Sequence, residues 1–391
     1  MHNFNSSNHK VLAEELEMLS REQPMELILP CLYSELESDA LKNILHELNK
    51  INFLNHIIIG LDKADQKQYL NAKKFFSILN AKHSILWNDG PRLRKLQNIL
   101  HNEGIADVED GKGKNVWYCI GYAISRNTAE AIAFHDCDIK TYDKNILIKL
   151  FYPLINRSMG YNFSKGYYPR YSDNNLNGRV TRLLVTPLVK SLIMLFGRNE
   201  YLEFIDSFKY PLAGEYAFKT HLLREIKIPS DWGLEIGILS ELQRSYSNKL
   251  CCQVDLADQY DHKHQILSEN NDSKGLSRMT IDITKAFLRK MATQGHTFNE
   301  ESFRTLKATY YRRALDYIDI YKNDAKINGL SLDLNLEEKT VELFAENIIK
   351  AGKLFLSQPM EKPFIPSWQR VEYASPGFLT KLRRAVVEDN Q

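Results

Sequence analysis

Short apolar runs alternate with amphipathic stretches over the first third of the chain. Four of these runs have the length and composition of buried strands, at residues 25–31, 54–60, 83–87 and 131–136. Stretches of helical periodicity separate them, at about 35–50, 64–79, 91 onward and 116–127. Pro91 is well placed to open the third of these helices. Strands that alternate with helices predict an α/β fold with a mostly parallel sheet covered on both faces.

The remainder of the chain divides into an irregular middle and a helical tail. Residues 161–264 are rich in glycine, proline and aromatic side chains, which is typical of binding loops on a rigid scaffold. From about residue 273 three apolar stripes recur at helical spacing. They are Leu276, Met279, Ile283, Phe287 and Met291; Phe303, Leu306, Tyr310, Ala314, Tyr317 and Tyr321; and Val341, Phe344, Ile348 and Phe355.

This organisation predicts an N-terminal lead-in (1–22), an α/β domain (23–265) and a C-terminal helical region (266–391). The tyrosine-rich stripe of the tail is expected to be either core or the surface of a homodimer. Residues 358–367 are proline-rich and predict an extended connector before a last short helix.

Composition excludes several classes of protein. The 391 residues include 51 basic and 49 acidic side chains, so a net charge of +2 gives no support to nucleic-acid binding. No apolar run approaches the roughly 20 residues that span a bilayer, and residues 1–10 lack the apolar core of a signal peptide. The five cysteines are scattered, without zinc-ligand spacing. A reduced, cytoplasmic protein without a membrane span is the expectation.

The fourth predicted strand ends at a carboxylate, Asp136, and a second carboxylate, Asp138, follows two residues later. Ligand sites in open α/β sheets lie beyond the carboxyl ends of strands, and paired carboxylates suit a hard divalent cation that also binds phosphate. Cys137 lies between them, and strand alternation should point its side chain the other way. The alternative is a helix cap or a loop that merely carries charge.

Two further segments offer cations for an anionic ligand. Residues 110–114 read Asp-Gly-Lys-Gly-Lys, in which glycines permit close approach and Lys112 can neutralise phosphate; a flexible charged turn is the alternative. The spacing is not that of a P-loop. The second segment combines cations with donors at a predicted helix start, which makes an anion seat or else a capped surface loop. Its members are Lys165, Arg170, Gly178, Arg179 and Thr181.

Two acids and two histidines complete the candidate chemistry. Glu215 and Glu235 each stand among apolar and small residues, where a carboxylate is usually paired, so they either hold a cation of the protein or bind sugar hydroxyls. His262 could complete a metal site with the aspartates, and His264 follows two residues later. A single histidine is more often an ordinary surface or core residue.

These segments resemble, in the same order, those of the retaining glycosyltransferases that make glucosyl-3-phosphoglycerate and mannosyl-3-phosphoglycerate. The resemblance spans roughly residues 25–265. It is carried by residues 111–113 with Trp117, 136–138, 178–181, 211–217, 233–237 and the region of His262. It implies a GT-A fold, a Rossmann-like nucleotide-sugar domain.

The resemblance also implies roles for individual residues. Catalysis would fall to Lys112, Asp136, Asp138 and Glu235. The donor would contact Pro30, Glu35, Lys112, Asp136, Cys137, Asp138 and Glu215. The acceptor phosphate would lie on Gly178, Arg179 and Thr181, with Arg170 and Lys165 as further cations. A divalent metal, Mg²⁺ or Mn²⁺, would be held by Asp138 and His262, with His264 as the second choice.

The chain departs from the family pattern at several positions, and these concern the acceptor more than the fold or donor. Leu176-Asn177 replaces a pair of glycines, and residues 31–35 and 60–65 differ from the usual segments. The expected reaction moves glucose from UDP-glucose to 3-phosphoglycerate with retention, by front-face attack. The alternatives are mannose from GDP-mannose, glycerate as acceptor, or a non-catalytic nucleotide-sugar-binding regulatory protein, which would not need Lys112, both aspartates and a metal histidine.

Overall fold

A computed structural model of the protein describes residues 1, 2, 4, 8–108, 110–262, 275–358, 361 and 364–391. The strands are β1 (Met25–Leu32), β2 (Leu54–Asp62), β3 (His83–Trp87), β4 (Ala131–Phe134), β5 (Phe163–Tyr167), β6 (Tyr171–Ser172), β7 (Asn175–Leu176), β8 (Tyr216–Lys219) and β9 (Cys251–Asp255). The helices before the tail are α1 (His9–Leu19), α2 (Asp39–Leu48), α3 (Gln66–Phe76), α4 (Pro91–Asn102), α5 (Lys112–Arg126), α6 (Asn145–Ile155), α7 (Thr186–Phe196), α8 (Glu200–Asp206) and α9 (Leu234–Ser245). Those of the tail are α10 (Gly275–Thr293), α11 (Glu300–Ile327), α12 (Leu334–Ser357), α13 (Trp368–Ala374) and α14 (Phe378–Asn390).

Seven strands form one sheet in the order β3-β2-β1-β4-β8-β5-β9. The strands β1 to β4 pair in parallel, and β8 runs antiparallel to both β4 and β5. The strands β1, β2 and β4 are buried along nearly their whole length. This matches their continuous apolar sequence, because a sheet with both faces covered has no solvent side. Because β1 to β4 run parallel, their carboxyl ends lie at the same end of the sheet, and the candidate site lies there.

The four strands predicted from apolar runs are confirmed, with small differences at their ends. The helix expected over 35–50 begins later, as α2, because Ser38 caps it by accepting from Leu41 N at 3.2 Å. A short 3₁₀ turn, Tyr33–Glu37, fills the gap. The helix expected over 116–127 starts earlier, so Lys112 lies in its first turn. The strands β5, β8 and β9 lie in the middle region, which the sequence pattern described only as irregular.

The tail helices α10, α11 and α12 pack on one another, and the three apolar stripes form their contact surfaces. Phe303, Leu306, Tyr310 and Ala314 are buried, so this part of the tyrosine-rich stripe belongs to the core. The division of the chain at residues 22 and 265 stays a prediction.

The last helix, α14, returns to the sheet and packs against β3, α4 and α5. The Asn390 side chain accepts a hydrogen bond from Ile85 N and donates one to Ile85 O, both at 2.9 Å. Since β3 is the edge of the sheet, this amide satisfies backbone groups that would otherwise be exposed to other strands. None of the helices described in the structure combines the length and the apolar character needed to cross a membrane.

Candidate active site

Asp136 and Asp138 lie directly beyond the end of β4, as the sequence predicts. Asp136 packs against Gly214 so closely that a Cβ on the glycine would stand 2.5 Å from Asp136 Oδ2. Only glycine therefore allows residues 211–217 to approach the carboxylate. The thiol of Cys137 points away and pairs with Cys31, a hydrogen bond that, together with burial, raises the pKa of Cys137 well above its ordinary value. The two aspartates thus face the same side, and the residue between them faces the core.

Lys112 bridges two of the predicted catalytic carboxylates. Its Nζ lies 2.7 Å from Asp136 Oδ1 and 3.1 Å from Glu235 Oε1. Burial opposes the charge on Lys112, yet the two carboxylates hold its pKa well above the ordinary value. Burial likewise opposes the charge on Asp136, and Lys112 outweighs it, so the pKa of Asp136 is lowered. The 32% of the Lys112 side chain that stays exposed can meet a ligand without breaking this arrangement.

Glycines on both sides of Lys112 make this bridge geometrically feasible. A Cβ on Gly113 would lie 2.0 Å from the carbonyl oxygen of Pro229, and one on Gly111 would lie 2.9 Å from that of Ser230. The start of α5 is therefore in direct contact with the loop that leads into α9. Glu235 stands in the first turn of α9, where a carboxylate is favoured by the helix dipole. The Gly-Lys-Gly segment is thus a packed contact, which rules out the flexible charged turn.

Asp138 has the character of a cation ligand. Its Oδ1 is buried and has no hydrogen-bond partner among the described residues. Burial, with the charge of Asp136 beside it, raises the pKa of Asp138 to about 7. A divalent cation would remove both penalties, so the donor set fits such a group. No group of three potential metal ligands is present in the described part of the chain.

The backbone of His262 lies beside the segment that carries the aspartates, since it forms a β-bridge with Ile139. Its Nε2 accepts a hydrogen bond from Arg170 Nη1. The same guanidinium nitrogen donates to Tyr210 Oη at 3.2 Å. His262 therefore lies near the aspartates and links that position to Arg170, and its role as a metal ligand stays a prediction. His264, the second metal candidate, lies outside the described residues.

Glu215 and Lys165 lie deeper than a ligand-binding role would suggest. Glu215 is 1% exposed and accepts hydrogen bonds at 2.6 Å from the hydroxyls of Tyr168 and Tyr260, whose rings stack on each other. Lys165 is equally buried and donates to Ala213 O at 2.6 Å; burial lowers its pKa to about 8. Both side chains hold residues 213–215 in place behind Asp136, and they stay predictions as donor and acceptor ligands.

Gly178 and Arg179 lead into a π-helical turn, Val180–Val185, which contains Thr181 and continues directly into α7. Gly178 has a φ of +77°, and it packs against Arg170, whose Cβ would be 3.2 Å from an added Cβ. The hydroxyl of Thr181 is buried and has no partner within the described residues. Arg179 donates through Nε to Glu337 at 3.0 Å, and 31% of its side chain is exposed. The exposed part of the Arg179 guanidinium is a group that suits an anion, and the acceptor roles of Gly178, Arg179 and Thr181 stay predictions.

Pro30 and Glu35 lie at this same end of the sheet. Pro30 lies near the end of β1, and Glu35 lies in the 3₁₀ turn that follows. The charge of Glu35 contributes to the raised pKa of Asp138, which shows that the two carboxylates are near each other. The structure therefore brings residues from the ends of β1 and β4, the start of α5 and the start of α9 to one place.

Comparison with known proteins decides the family. The chain is 41% identical over its whole length to a glucosyl-3-phosphoglycerate synthase of Persephonella marina, 96% of which is covered. It is 37% identical over 97% of its length to the one of Methanococcoides burtonii, 93% of which is covered. The chain belongs to the glucosyl-3-phosphoglycerate synthase family. No general family model matches it.

Solved structures show that this member of the glucosyl-3-phosphoglycerate synthase family has the GT-A fold. A mannosyl-3-phosphoglycerate synthase of Rubrobacter xylanophilus matches 73% of the chain, with 80% of its own covered, at 21% identity and a TM-score of 0.54. A glucosyl-3-phosphoglycerate synthase of Mycobacterium tuberculosis, solved with Mn²⁺, UDP-glucose and phosphoglyceric acid, matches 72%, with 84% covered, at 20% identity and a TM-score of 0.52. The fold expected from the sequence is confirmed.

Several residues that shape this candidate site were not singled out from the sequence. Tyr168 and Tyr260 secure Glu215, and Arg182 and Glu337 secure Arg179. Arg182 could have been found, since it adjoins the predicted anion seat. Glu337 could not, because it reaches the site from α12 and no local spacing relates it to Arg179.

Proposed function

We propose that the protein transfers glucose from UDP-glucose to 3-phosphoglycerate in a reaction that needs a divalent metal. Two relatives that carry the name glucosyl-3-phosphoglycerate synthase align with essentially the whole chain. The Mycobacterium tuberculosis neighbour has been solved with Mn²⁺, UDP-glucose and phosphoglyceric acid, and also with glucosyl-3-phosphoglycerate and UDP. These ligands support glucosyl-3-phosphoglycerate as the product here.

The observation that carries this proposal is the continuity between the carboxylate site and the anion seat. His262 bridges to Ile139, one residue after Asp138, and accepts from Arg170. Arg170 in turn packs against Gly178, at the start of the Arg179 turn. A sugar nucleotide bound at the carboxylates would therefore have a small anionic acceptor as its immediate neighbour. Proximity of this kind is a main source of rate enhancement in group transfer.

On the donor side, the protein's own charges would stabilise the leaving group. Asp138 and His262 would hold the metal, which supplies Lewis-acid stabilisation of the diphosphate. Lys112 keeps its charge and its direction because Asp136 and Glu235 both pair with it. It would meet the negative charge that develops as the glycosidic bond breaks. Gly178 N–H, Arg179 and Thr181 would hold the acceptor phosphate.

Retention is proposed to proceed by front-face attack. Glu215 accepts from two tyrosines, and Glu235 and Asp136 share Lys112. Carboxylates engaged in this way are poorly suited to attack the sugar as covalent nucleophiles. The acceptor hydroxyl would then attack from the side of the departing diphosphate, whose oxygen takes the proton. An inverted anomeric configuration in the product, read by NMR, would refute this mechanism.

The first test is a panel of donors and acceptors with the purified protein and Mg²⁺ or Mn²⁺. UDP-glucose, GDP-glucose and GDP-mannose are each combined with 3-phosphoglycerate and glycerate, and products are read by mass spectrometry. Metal-dependent hexosyl-phosphoglycerate from UDP-glucose is expected. A preference for GDP-mannose would change the proposed donor but not the fold. If no product formed with any pair, the proposed reaction would be refuted.

The acceptor seat is tested with Arg179→Ala. Because the guanidinium would contact the phosphate, the KM for 3-phosphoglycerate is expected to rise, while any transfer to glycerate should change little. Arg157→Ala is the control, since it removes an exposed arginine that pairs only with Glu22 in the described structure. Equal loss toward both acceptors would count against phosphate recognition by Arg179.

We further propose a cytoplasmic homodimer. Five free cysteines are compatible with a reducing compartment. On α11, Ile320 and Ile327 are 54% and 84% exposed and would add apolar contacts to an interface with a second copy. Size-exclusion chromatography with light scattering is expected to give twice the mass of 45.4 kDa; a monomer at micromolar concentration would contradict the dimer.

A further inference from the structure

The C-terminal region reaches the predicted acceptor seat through one buried carboxylate. Glu337, in the first turn of α12, is 1% exposed. Its Oε1 accepts from Arg179 Nε at 3.0 Å and from Arg182 Nη2 at 3.1 Å, while its Oε2 accepts from Arg182 Nη1 at 2.7 Å. One carboxylate oxygen therefore bridges two arginines. The bridge joins α12 to the turn that precedes α7.

Arg182 is the fixed part of this bridge. It is buried, donates through Nε to Asn177 O at 2.7 Å and lies over the ring of Tyr321 at 4.8 Å. Its two terminal nitrogens hold Glu337 in the bidentate geometry that restricts a carboxylate most strongly. With Glu337 fixed in this way, the position of Arg179 is set by its Nε contact.

The same region also supports the hairpin that leads into the seat. The strands β6 and β7 are joined by Asp173 and Asn174, whose φ values of 47° and 60° are those of a tight hairpin turn. Ser331 N donates to Asn174 O at 2.6 Å, and Ser331 O accepts from Leu176 N at 3.2 Å. Ser331 therefore pairs with this hairpin as an added strand residue, shortly before α12 begins.

We propose that Glu337 is a positioning residue for the acceptor, acting through Arg179; this inference rests on the proposed function of Arg179. Of the Arg179 guanidinium, Glu337 contacts only Nε, and no hydrogen bond from the two terminal nitrogens of Arg179 is seen within the described residues. Those nitrogens form the edge of the guanidinium that recognises phosphate bidentately. A side chain held in its binding geometry loses less entropy when the acceptor binds.

An inhibitory role for Glu337 would demand the opposite geometry. A competing carboxylate would occupy the terminal nitrogens of Arg179 and would have to leave when the acceptor arrives. Glu337 is instead buried and bound to both nitrogens of Arg182, so its departure would strand a charge in the interior. The three charges sum to +1, which still favours an anionic acceptor.

The experiment compares Glu337→Gln, Arg179→Ala and the double variant, using steady-state rates with UDP-glucose and 3-phosphoglycerate each varied in turn. For Glu337→Gln we expect the KM for 3-phosphoglycerate to rise about tenfold, the scale of one charge-assisted hydrogen bond. The KM for UDP-glucose and kcat should stay within about twofold. The double variant should be no worse for the acceptor than Arg179→Ala alone, since both changes act on the same contact.

Glu26→Gln is the matched control. Glu26 is a buried carboxylate that pairs with Arg126 and Thr128 at the amino-terminal end of β1, the end of the sheet opposite the candidate site. The Glu26→Gln variant should have a lower melting temperature and an unchanged KM for 3-phosphoglycerate. If Glu337→Gln does not fold, Glu337→Asp keeps the charge but shortens its reach, and the same pattern is expected at smaller size.

The outcomes separate the two proposals. An unchanged or lowered KM for 3-phosphoglycerate in a folded Glu337 variant would overturn the positioning role while Arg179→Ala still shows its defect. Additive defects in the double variant would also overturn it. If Arg179→Ala itself leaves acceptor binding unchanged, the acceptor seat fails, and the role of Glu337 falls with it.

Discussion

Replacement of Gly113 by alanine is expected to reduce activity far more than stability. The added Cβ would lie 2.0 Å from the carbonyl oxygen of Pro229, whereas ordinary contacts begin at 3.4 Å. The start of α5 or the loop before α9 must then move by about 1.4 Å. Lys112 and Glu235 belong to these two segments, so their contact at 3.1 Å would be disturbed. A displacement of about 1 Å at a reacting centre costs about 100-fold in rate, while overpacking costs about 1–3 kcal/mol of stability.

The assay measures initial rates of glucosyl transfer from UDP-glucose to 3-phosphoglycerate, normalised to the folded fraction from thermal unfolding. Gly121→Ala is the matched control in the same helix, where the new Cβ would lie 2.2 Å from the Trp368 side chain instead. It should lose a similar amount of stability and keep kcat. A normal kcat for Gly113→Ala, or an equal loss in both variants, would refute the link between this contact and catalysis.

Three further predictions concern the scaffold and the metal. Burial lowers the pKa of His56 to about 3, whereas the same group in the unfolded chain has a pKa near 6.5, so the free energy of unfolding falls as pH drops below 6.5. Between pH 7.5 and pH 5, the wild-type protein should lose about 2 kcal/mol more stability than His56→Gln, measured by urea unfolding. Asn390→Ala removes both hydrogen bonds to the Ile85 backbone, and should cost about 1–3 kcal/mol and speed hydrogen exchange of the Ile85 amide. Chelation should abolish transfer, and added Mn²⁺ should restore it; transfer that survives exhaustive chelation would contradict a metal requirement.

The parts of the fold that the sequence predicted are those with local causes. The strands at 25–31, 54–60, 83–87 and 131–136 were predicted because both of their faces are apolar, and the structure confirms them. The position of Asp136 and Asp138 followed from the rule that strand ends carry sites. Helix starts were less accurate, since the cap at Ser38 and the packed contact of Gly113 decide them and neither alters the apolar period.

The parts that could not be predicted depend on pairings between distant segments. The antiparallel β8 inside a mostly parallel sheet leaves no mark in its four residues. Lys165 was predicted as an acceptor ligand because it is one of several cations close together in sequence. In β5 it is buried and donates to Ala213 O, a contact that the sequence pattern does not indicate. Nothing in the order of residues shows that Glu337 would return to Arg179 and Arg182.

The two halves of the candidate site are built by the same device, in which one charged group bridges two of the opposite sign. Lys112 joins Asp136 to Glu235, and Glu337 joins Arg179 to Arg182. A buried charge is costly unless all of its partners are present. The first bridge therefore becomes favourable only when the end of β4, α5 and α9 have come together, and the second only when the turn before α7 has met α12. The arrangement of charges at the site consequently depends on the completed fold. This explains why single motifs in the sequence could indicate the residues of the site but not their geometry.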